Sequence, residues 1–400
     1  MRIAFLTTEY PTENTFAGGV ASYTQRTAGT LAKLGQDVEV FTLSDAVGTI
    51  LDNNVVIHRV PICRWGESLA KRLPIIRRSH LAAKIVGRSW ALARCLRRRH
   101  HDEPFDLIQA VSNFGSGLCS TVRPVCPVIT FAAAYRPAVR EAQQLPLTMN
   151  DRQCEWAEAK QIKRSHGVFA PSELVARRIQ TACRLPVHVI EYAYDLKPLT
   201  RGAWPPPDDF PAESYGLFFG GINRLKGCDR LARILPQFLH RHPKAFFLFV
   251  GRVHSLEGLP SDEFLRQRLG EFASQVAVLP PQRPDALFRY VANARFVVLP
   301  SRMDNLPNAA IEAMALGRLL IATRDASFEQ LIIDGQNGLL VSQEDDEQLL
   351  QALSDAWTMD TAQRHRLGDA ATLTVERFSP ERAIQPLLAL YHRTIAVFRS

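Results

Sequence analysis

An α/β fold made of two doubly wound halves of about equal size is predicted by three features of the sequence. Short apolar runs alternate with helical patterns, which implies a mostly parallel sheet with helices on both faces. Near the middle, Trp204-Pro205-Pro206-Pro207-Asp208-Asp209-Phe210-Pro211 interrupts the pattern. Consecutive prolines can neither continue a helix nor sit in a central strand, so this stretch reads as a linker. The alternation then begins afresh, again with a strand running into a glycine pair.

In the first half, Ile3–Thr7 reads as a strand and Val20 to Leu34 as a helix stopped by Gly35. Strands follow at Val38–Leu43, Val55–Val60, Leu107–Ala110, Val128–Phe131, Gly167–Ala170 and Val187–Ile190. Ser172 suits the N-cap of a helix reaching Thr181. In the second half Tyr215–Phe219 is a strand, and Asp229 to His240 is a helix. Its stripe Leu231, Ile234, Leu235, Phe238 and Leu239 recurs at i, i+3, i+4, i+7, i+8. Ala245–Val250 is continuously apolar, as in a strand covered on both faces. Val276–Leu279, Phe296–Leu299, Leu319–Ala322 and Gly338–Val341 are further strands, and a long helical pattern from Pro380 to Phe398 ends the chain. Ligands of such folds bind at the carboxyl ends of the strands, so the expected site is the cleft between the halves.

Composition removes several classes of function. With 46% hydrophobic and 22% charged residues, the chain has enough apolar surface to offset ordering entropy, which excludes a mostly disordered protein. No apolar run approaches the roughly 18 residues of a membrane span. The apolar core of the N-terminus is too short for a signal peptide and reads as a buried strand. The seven cysteines are odd in number and widely spaced, with no Cys-x-x-Cys, which points to reduced thiols and a cytoplasmic chain. Charge is concentrated: residues 64–101 hold eleven basic side chains against Glu67 alone, more than the whole chain's net +8. A local cationic block points to an anionic surface or ligand.

Three segments have chemistry in them. Ala17-Gly18-Gly19-Val20 puts glycines at the start of the first helix, where backbone amides favour an anion. Phe219-Gly220-Gly221-Ile222-Asn223-Arg224-Leu225-Lys226-Gly227 repeats the arrangement and adds two cations suited to a diphosphate. Taken alone, the first is more often just a turn, and the second is read equally well as a solvated loop. The third segment runs from Pro300-Ser301 to Gly317 after the strand Phe296–Leu299, with Asp304 just before a helix and Glu312 within it. Acceptor-only carboxylates suit the hydroxyls of sugars and ribose.

Together these segments resemble the retaining glycosyltransferases of family 4, which have the GT-B fold. The resemblance spans nearly the whole chain. It rests on Gly18-Gly19, Gly35, Pro171-Ser172-Glu173, Lys226-Gly227, Pro300-Ser301 and Glu312-Ala313-Met314-Ala315-x-Gly317. Glu329, Asp334-Gly335-x-Asn337-Gly338 and Phe378-Ser379-Pro380 through Tyr391 complete it. It implies an acceptor-binding Rossmann-like domain over 1–200, a linker over 201–214 and a nucleotide-sugar-binding domain over 215–378. A C-terminal helix over 379–400 would return to the first domain. The family's Glu-x7-Glu motif maps onto Asp304 and Glu312, with a shorter acid at the first position. By this resemblance Asp304 and the backbone of Asn305 and Leu306 hold the donor sugar, Glu312 binds the ribose and Lys226 contacts the diphosphate. Lys226, Asp304 and Glu312 are then the catalytic set, and Gly18, Gly19, Gly220, Gly221 and Arg224 complete the donor site. Two departures stand out. Gly221 occupies the position of a family arginine, for which Arg224 or Arg252 would substitute, and Ala132 follows Thr130-Phe131 where the family often has a histidine.

The activity implied is transfer of a sugar from a nucleotide diphosphate sugar, a UDP- or GDP-sugar, with retention at the anomeric carbon and with neither metal nor cofactor. No well-placed nucleophile is evident, which favours a front-face route with the departing phosphate oxygen as base. The basic segment 64–101 interleaves cations with Trp65, Leu69, Leu73, Ile75, Ile76, Leu81, Ile85, Val86, Trp90, Leu92 and Leu96. That composition fits an amphipathic surface at an anionic membrane. It suggests a peripheral enzyme of the inner leaflet acting on a lipid-linked or cell-surface saccharide, as in polysaccharide or lipopolysaccharide biosynthesis. No nucleic-acid motif accompanies the cations. A nucleotide-sugar epimerase or phosphorylase on the same fold is the alternative, against which the Asp304/Glu312 pair argues.

Overall fold

The computed structural model describes residues 1–12, 18–62, 80–196, 199 and 204–400, with the main chain alone for His80. The cationic residues Arg64, Lys71, Arg72, Arg77 and Arg78 lie outside them, as do the apolar residues from Trp65 to Ile76. The chain divides into two units, Met1–Tyr194 with Pro380–Ser400, and Asp195–Ser379.

The first unit holds β1 (Arg2–Thr7), β2 (Asp37–Ser44), β3 (Gly48–Asp52), β4 (Val55–Pro61), β5 (Leu107–Val111), β6 (Val128–Phe131), β7 (Gly167–Ala170) and β8 (His188–Val189). Their order across the sheet is β3-β4-β2-β1-β5-β6-β7-β8. Neighbours are parallel except β3 and β4, which form a hairpin. The strand β3 is not among those expected. Asn53 and Asn54, both at positive φ, make the two-residue turn that matches strand twist and folds it against β4.

Both faces of this sheet are covered. On one, Leu92 and Leu96 of the helix His80–Asp102 pack with Phe41, Leu43, Val60 and Ile108. On the other, Tyr23 and Leu31 of the helix Gly19–Lys33 join Leu387, Leu390, Tyr391 and Ile395 over Ile3, Phe5, Val40 and Ile129. The buried Tyr391 hydroxyl donates to Gln109 Oε1, and Gln109 Nε2 donates to the Tyr23 hydroxyl at 3.1 Å. The terminal segment is thus built into the first unit's core. The expected single helix from Pro380 is interrupted at Ile384: Pro380–Ala383 is followed by Gln385–Arg399. Pro386 lies in the first turn of the second piece, where its missing N–H costs nothing.

The second unit holds β9 (Tyr215–Phe219), β10 (Phe246–Val250), the small hairpin β11 (Ser255–Leu256) and β12 (Leu259–Pro260), β13 (Val276–Leu279), β14 (Phe296–Leu299), β15 (Leu320–Thr323) and β16 (Leu339–Val341). Its six-stranded sheet has the order β13-β10-β9-β14-β15-β16, all parallel. The order reverses between β9 and β14, the point at which sheets of this kind open a crevice at their carboxyl ends. The stripe expected on the helix Cys228–Arg241 is buried.

The proline-rich stretch is packed onto this unit. Trp204 meets Phe288 with ring centres 5.6 Å apart, and Phe210 lies 5.3 Å from Phe246. Arg289 donates to the Pro206 carbonyl at 2.7 Å and Asp208 at 3.1 Å.

The helix His80–Asp102 is the described part of the basic segment, and it is divided between core and surface. Ile85, Leu92 and Leu96 are core residues. Arg99 is engaged with the buried Glu39, and Arg97 donates to the carbonyls of Cys119 and Arg123.

Candidate functional site

Two loops leave the carboxyl ends of β9 and β14 and meet. The first, Gly220 to Gly227, carries Lys226; the second, Pro300 to Pro307, carries Asp304. Lys226 Nζ is bonded to Asp304 Oδ2, with both side chains partly accessible. The main chain of Lys226 is fixed by its N–H on Asn223 Oδ1 at 3.0 Å. Asp304 is held from three sides. Its Oδ2 takes Ser301 Oγ at 3.4 Å, its Oδ1 takes the Asn305 N–H at 3.0 Å, and its carbonyl takes Ser327 Oγ at 2.9 Å. Leu306, buried and at φ 58°, turns the chain into the helix Asn308–Ala315. Glu312 stands half-buried on that helix.

The two loops are joined by Arg302, a residue with no role in the sequence motifs. Its N–H donates to the Leu225 carbonyl at 2.8 Å, and its guanidinium bonds to the Arg224 carbonyl. The same guanidinium grips the buried Asp229 with two bonds, of 2.6 and 2.7 Å. Burial would raise the Asp229 carboxyl, but the Arg302 bonds and the charges of Arg302, Arg233 and Arg224 hold it below its ordinary range. Close approach does the rest: a Cβ on Gly227, at φ 74°, would lie 2.0 Å from the Pro300 carbonyl oxygen.

The predicted cation Arg224 is half-buried in the first loop and Arg252 is exposed after β10. The Ile222 N–H donates to the Arg252 carbonyl at 2.8 Å, so the two loops run side by side. Beside Gly221 the space is filled by another side chain. A Cβ there would meet Asn223 Nδ2 at 2.9 Å and His254 Nε2 at 3.2 Å. His254, missed in the sequence because a lone loop histidine has no pattern, therefore sits where the resemblance expects an arginine. The loops at Val253–Ser255 and Pro280 to Arg283 follow the neighbouring strands β10 and β13.

In the first unit Gly18 caps the helix Gly19–Lys33, as the glycine turn predicts. The amides there have a partner within the chain: the Glu9 carboxylate accepts from the backbone of Gly18 and Ala21. Burial raises the Glu9 carboxyl and these two bonds lower it, with a net rise. A second acid of this unit is shifted the same way, Glu158 on the helix Met149–Arg164. It accepts from the Phe114 N–H at 3.1 Å and from Arg136 Nε at 3.3 Å. Burial dominates and pushes its carboxyl up. Ala132 is buried at the end of β6.

Other motif residues brace the second unit. Asp334 Oδ1 accepts the Leu340 N–H at 2.9 Å, and Asn337 Nδ2 donates to the Leu331 carbonyl at 3.0 Å.

Sequence comparison matches residues 17–197 to the family described as Glycosyltransferase Family 4 and residues 213–358 to Glycosyl transferases group 1. A D-inositol 3-phosphate glycosyltransferase of Arthrobacter sp. (strain FB24) is 27% identical over 401 residues, covering 95% of this chain and 91% of that one. The enzyme of that name from Acidothermus cellulolyticus is 28% identical over 189 residues, 46% of this chain and 42% of the relative. Among solved structures, sucrose-phosphate synthase from Thermosynechococcus elongatus superposes with a TM-score of 0.76, at 20% identity and with 99% of each chain covered. Anabaena HepE in complex with UDP-glucose superposes at 0.72, with 16% identity and 98% and 100% coverage.

Proposed function

The chain belongs to the family 4 glycosyltransferases, with the GT-B fold, and on that premise we propose that it moves a sugar from a nucleotide diphosphate sugar to a saccharide acceptor with retention of configuration. The observation behind this reading is the Lys226–Asp304 pair at the strand ends, with Glu312 on the helix that follows. As the glycosidic bond of the donor weakens, positive charge develops on the sugar ring and negative charge on the leaving diphosphate. Lys226 stabilises that diphosphate. Its ammonium has three donors, so it can keep Asp304 while it binds a phosphate oxygen. Asp304, anchored by Ser301, Asn305 and Ser327, is oriented toward the sugar hydroxyls, and Glu312 takes the ribose. Arg224 and His254 add donors beside the diphosphate. No metal or cofactor enters this reading.

A UDP- or GDP-sugar is the proposed donor; the UDP-glucose complex of the structural neighbour supports the first. The proposed acceptor is a lipid-linked or cell-surface saccharide at the inner face of a membrane. No helix among the described residues is long and apolar enough to cross one. Thermal denaturation with UDP-, GDP-, ADP- and dTDP-sugars tests the donor reading, because a bound ligand raises stability by mass action. One base class is expected to raise the melting temperature well above the others. No shift with any of the four would overturn the proposal.

A further inference from the structure

Two long helices of the first unit pack side by side on one face of the sheet. Ala82 N–H of His80–Asp102 donates to Gln153 Oε1 of Met149–Arg164 at 2.6 Å, and Ile85 packs on Cys154 and Ala157. Each helix turns a stripe outward. On the first, Trp90 is 45% exposed and stands with exposed Arg94 and Arg98 at successive turns. On the second, Trp156 is 46% exposed between exposed Arg152 and Lys160. The neighbouring acids are otherwise engaged: Glu155 accepts from Arg140 Nε at 3.1 Å, and Asp151 closes the capping box with Thr148. Asp102 interrupts the surface only at the carboxyl end of its helix. Arg94 also lies over the Trp90 ring, 5.2 Å from its centre.

We propose that this two-helix face is a docking surface for an anionic lipid bilayer. Tryptophan prefers the polar–apolar boundary, where its ring is buried and its N–H stays wet. Cations set one and two turns away reach the anionic headgroups, each contributing to an attraction that salt screens. The proposal deepens the reading of a membrane-held acceptor by naming the surface that would meet the membrane. It moves that surface from a single segment around residues 64–101 to two helices, one of them outside that segment.

The full chain is sedimented with vesicles of phosphatidylcholine alone and of phosphatidylcholine mixed with phosphatidylglycerol, without donor or acceptor. Binding to the mixed vesicles only, weakened by added salt, is expected. The double variant Arg152→Glu/Lys160→Glu is expected to bind at least about tenfold more weakly. A control of equal charge change on other exposed sites, Lys33→Glu/Lys244→Glu, is expected to bind nearly as the parent does. In a second readout, tryptophan emission shifts to shorter wavelength on mixed vesicles. Trp90→Phe/Trp156→Phe, which leaves charge and core unchanged, abolishes that shift. Equal recovery with both vesicle types overturns the proposal, as does equal loss in the two charge variants. Dimerisation through this face in place of lipid binding overturns it as well. Transferase activity on a soluble acceptor in the same preparation keeps this failure separate from that of the donor reading.

Discussion

The ammonium of Lys226 is the most consequential single group in the second unit, because it lies where strand ends, two loops and a carboxylate meet. Lys226→Ala is expected to lower kcat by about a hundredfold, the usual cost of removing one preorganised donor to a developing anion. Steady-state rates with saturating donor check it. His254 stands against Gly221, where the resemblance expects a guanidinium. His254→Ala is expected to raise the KM for donor several-fold with little change in kcat, because one exposed imidazole N–H contributes less than the paired donors of a guanidinium. Gly227 is constrained twice, by φ 74° and by the Pro300 carbonyl oxygen, which any Cβ there would approach to 2.0 Å. At this scale the position of a residue was legible where a strand end or helix carries it, as for Lys226 on the loop after β9 and Glu312 on the helix Asn308–Ala315. It was silent on Arg302 and His254, whose roles depend on what a separate loop brings beside them.

Among elements, the β9 and β14 loops act as one part because Arg302 ties them through Leu225, Arg224 and Asp229. Arg302→Lys keeps the charge and loses the paired geometry, so about 1–2 kcal/mol of loop order is expected to go. The measured consequence is a higher donor KM with a small change in melting temperature. An equally small change in both would leave Arg302 without a positioning role. In the first unit, buried Glu39 on β2 links Arg2 of β1, His58 of β4 and Arg99 of the helix His80–Asp102. Burial pushes its carboxyl up, but the bonds from His58, Arg2 and Arg99 prevail and hold it at about 2, against an ordinary 4.5. The depressed value sets the sign. The unfolded chain takes up the proton first as pH falls, so the contribution is complete above about 4.5 and is lost on the way down to about 2. It amounts to about 3 kcal/mol. Glu39→Gln is expected to remove that slope from an acid-unfolding curve of the first unit. Strand and helix periodicity was legible for β9, β10, β14 and the helix Cys228–Arg241. The hairpin strand β3 was not, because its identity comes from an Asn53-Asn54 turn and from pairing with β4.

For the whole molecule, the terminal helix Gln385–Arg399 is a part of the first unit supplied by the far end of the chain. Ending the chain at Ser379 removes Leu387, Leu390, Tyr391 and Ile395 from the core and leaves Gln109 without the Tyr391 hydroxyl. Such a deletion exposes several large apolar side chains at roughly 1.5–3 kcal/mol each, which exceeds the margin of most domains. Loss of the first unit's melting transition is expected, with that of the second unit retained, and calorimetry distinguishes the two. The division into two halves could be read from the proline-rich stretch, but that stretch folds onto the second unit, since Trp204 and Phe210 find aromatic partners there. The central claim is that a donor diphosphate binds at Lys226 with its ribose on Glu312. Its most direct test is calorimetric titration of the parent chain, Lys226→Ala and Glu312→Gln with the nucleoside diphosphate that most stabilises the parent. Each substitution is predicted to weaken binding at least about tenfold, the effect of losing one charge-assisted hydrogen bond; parent-like affinity in both variants would contradict the account.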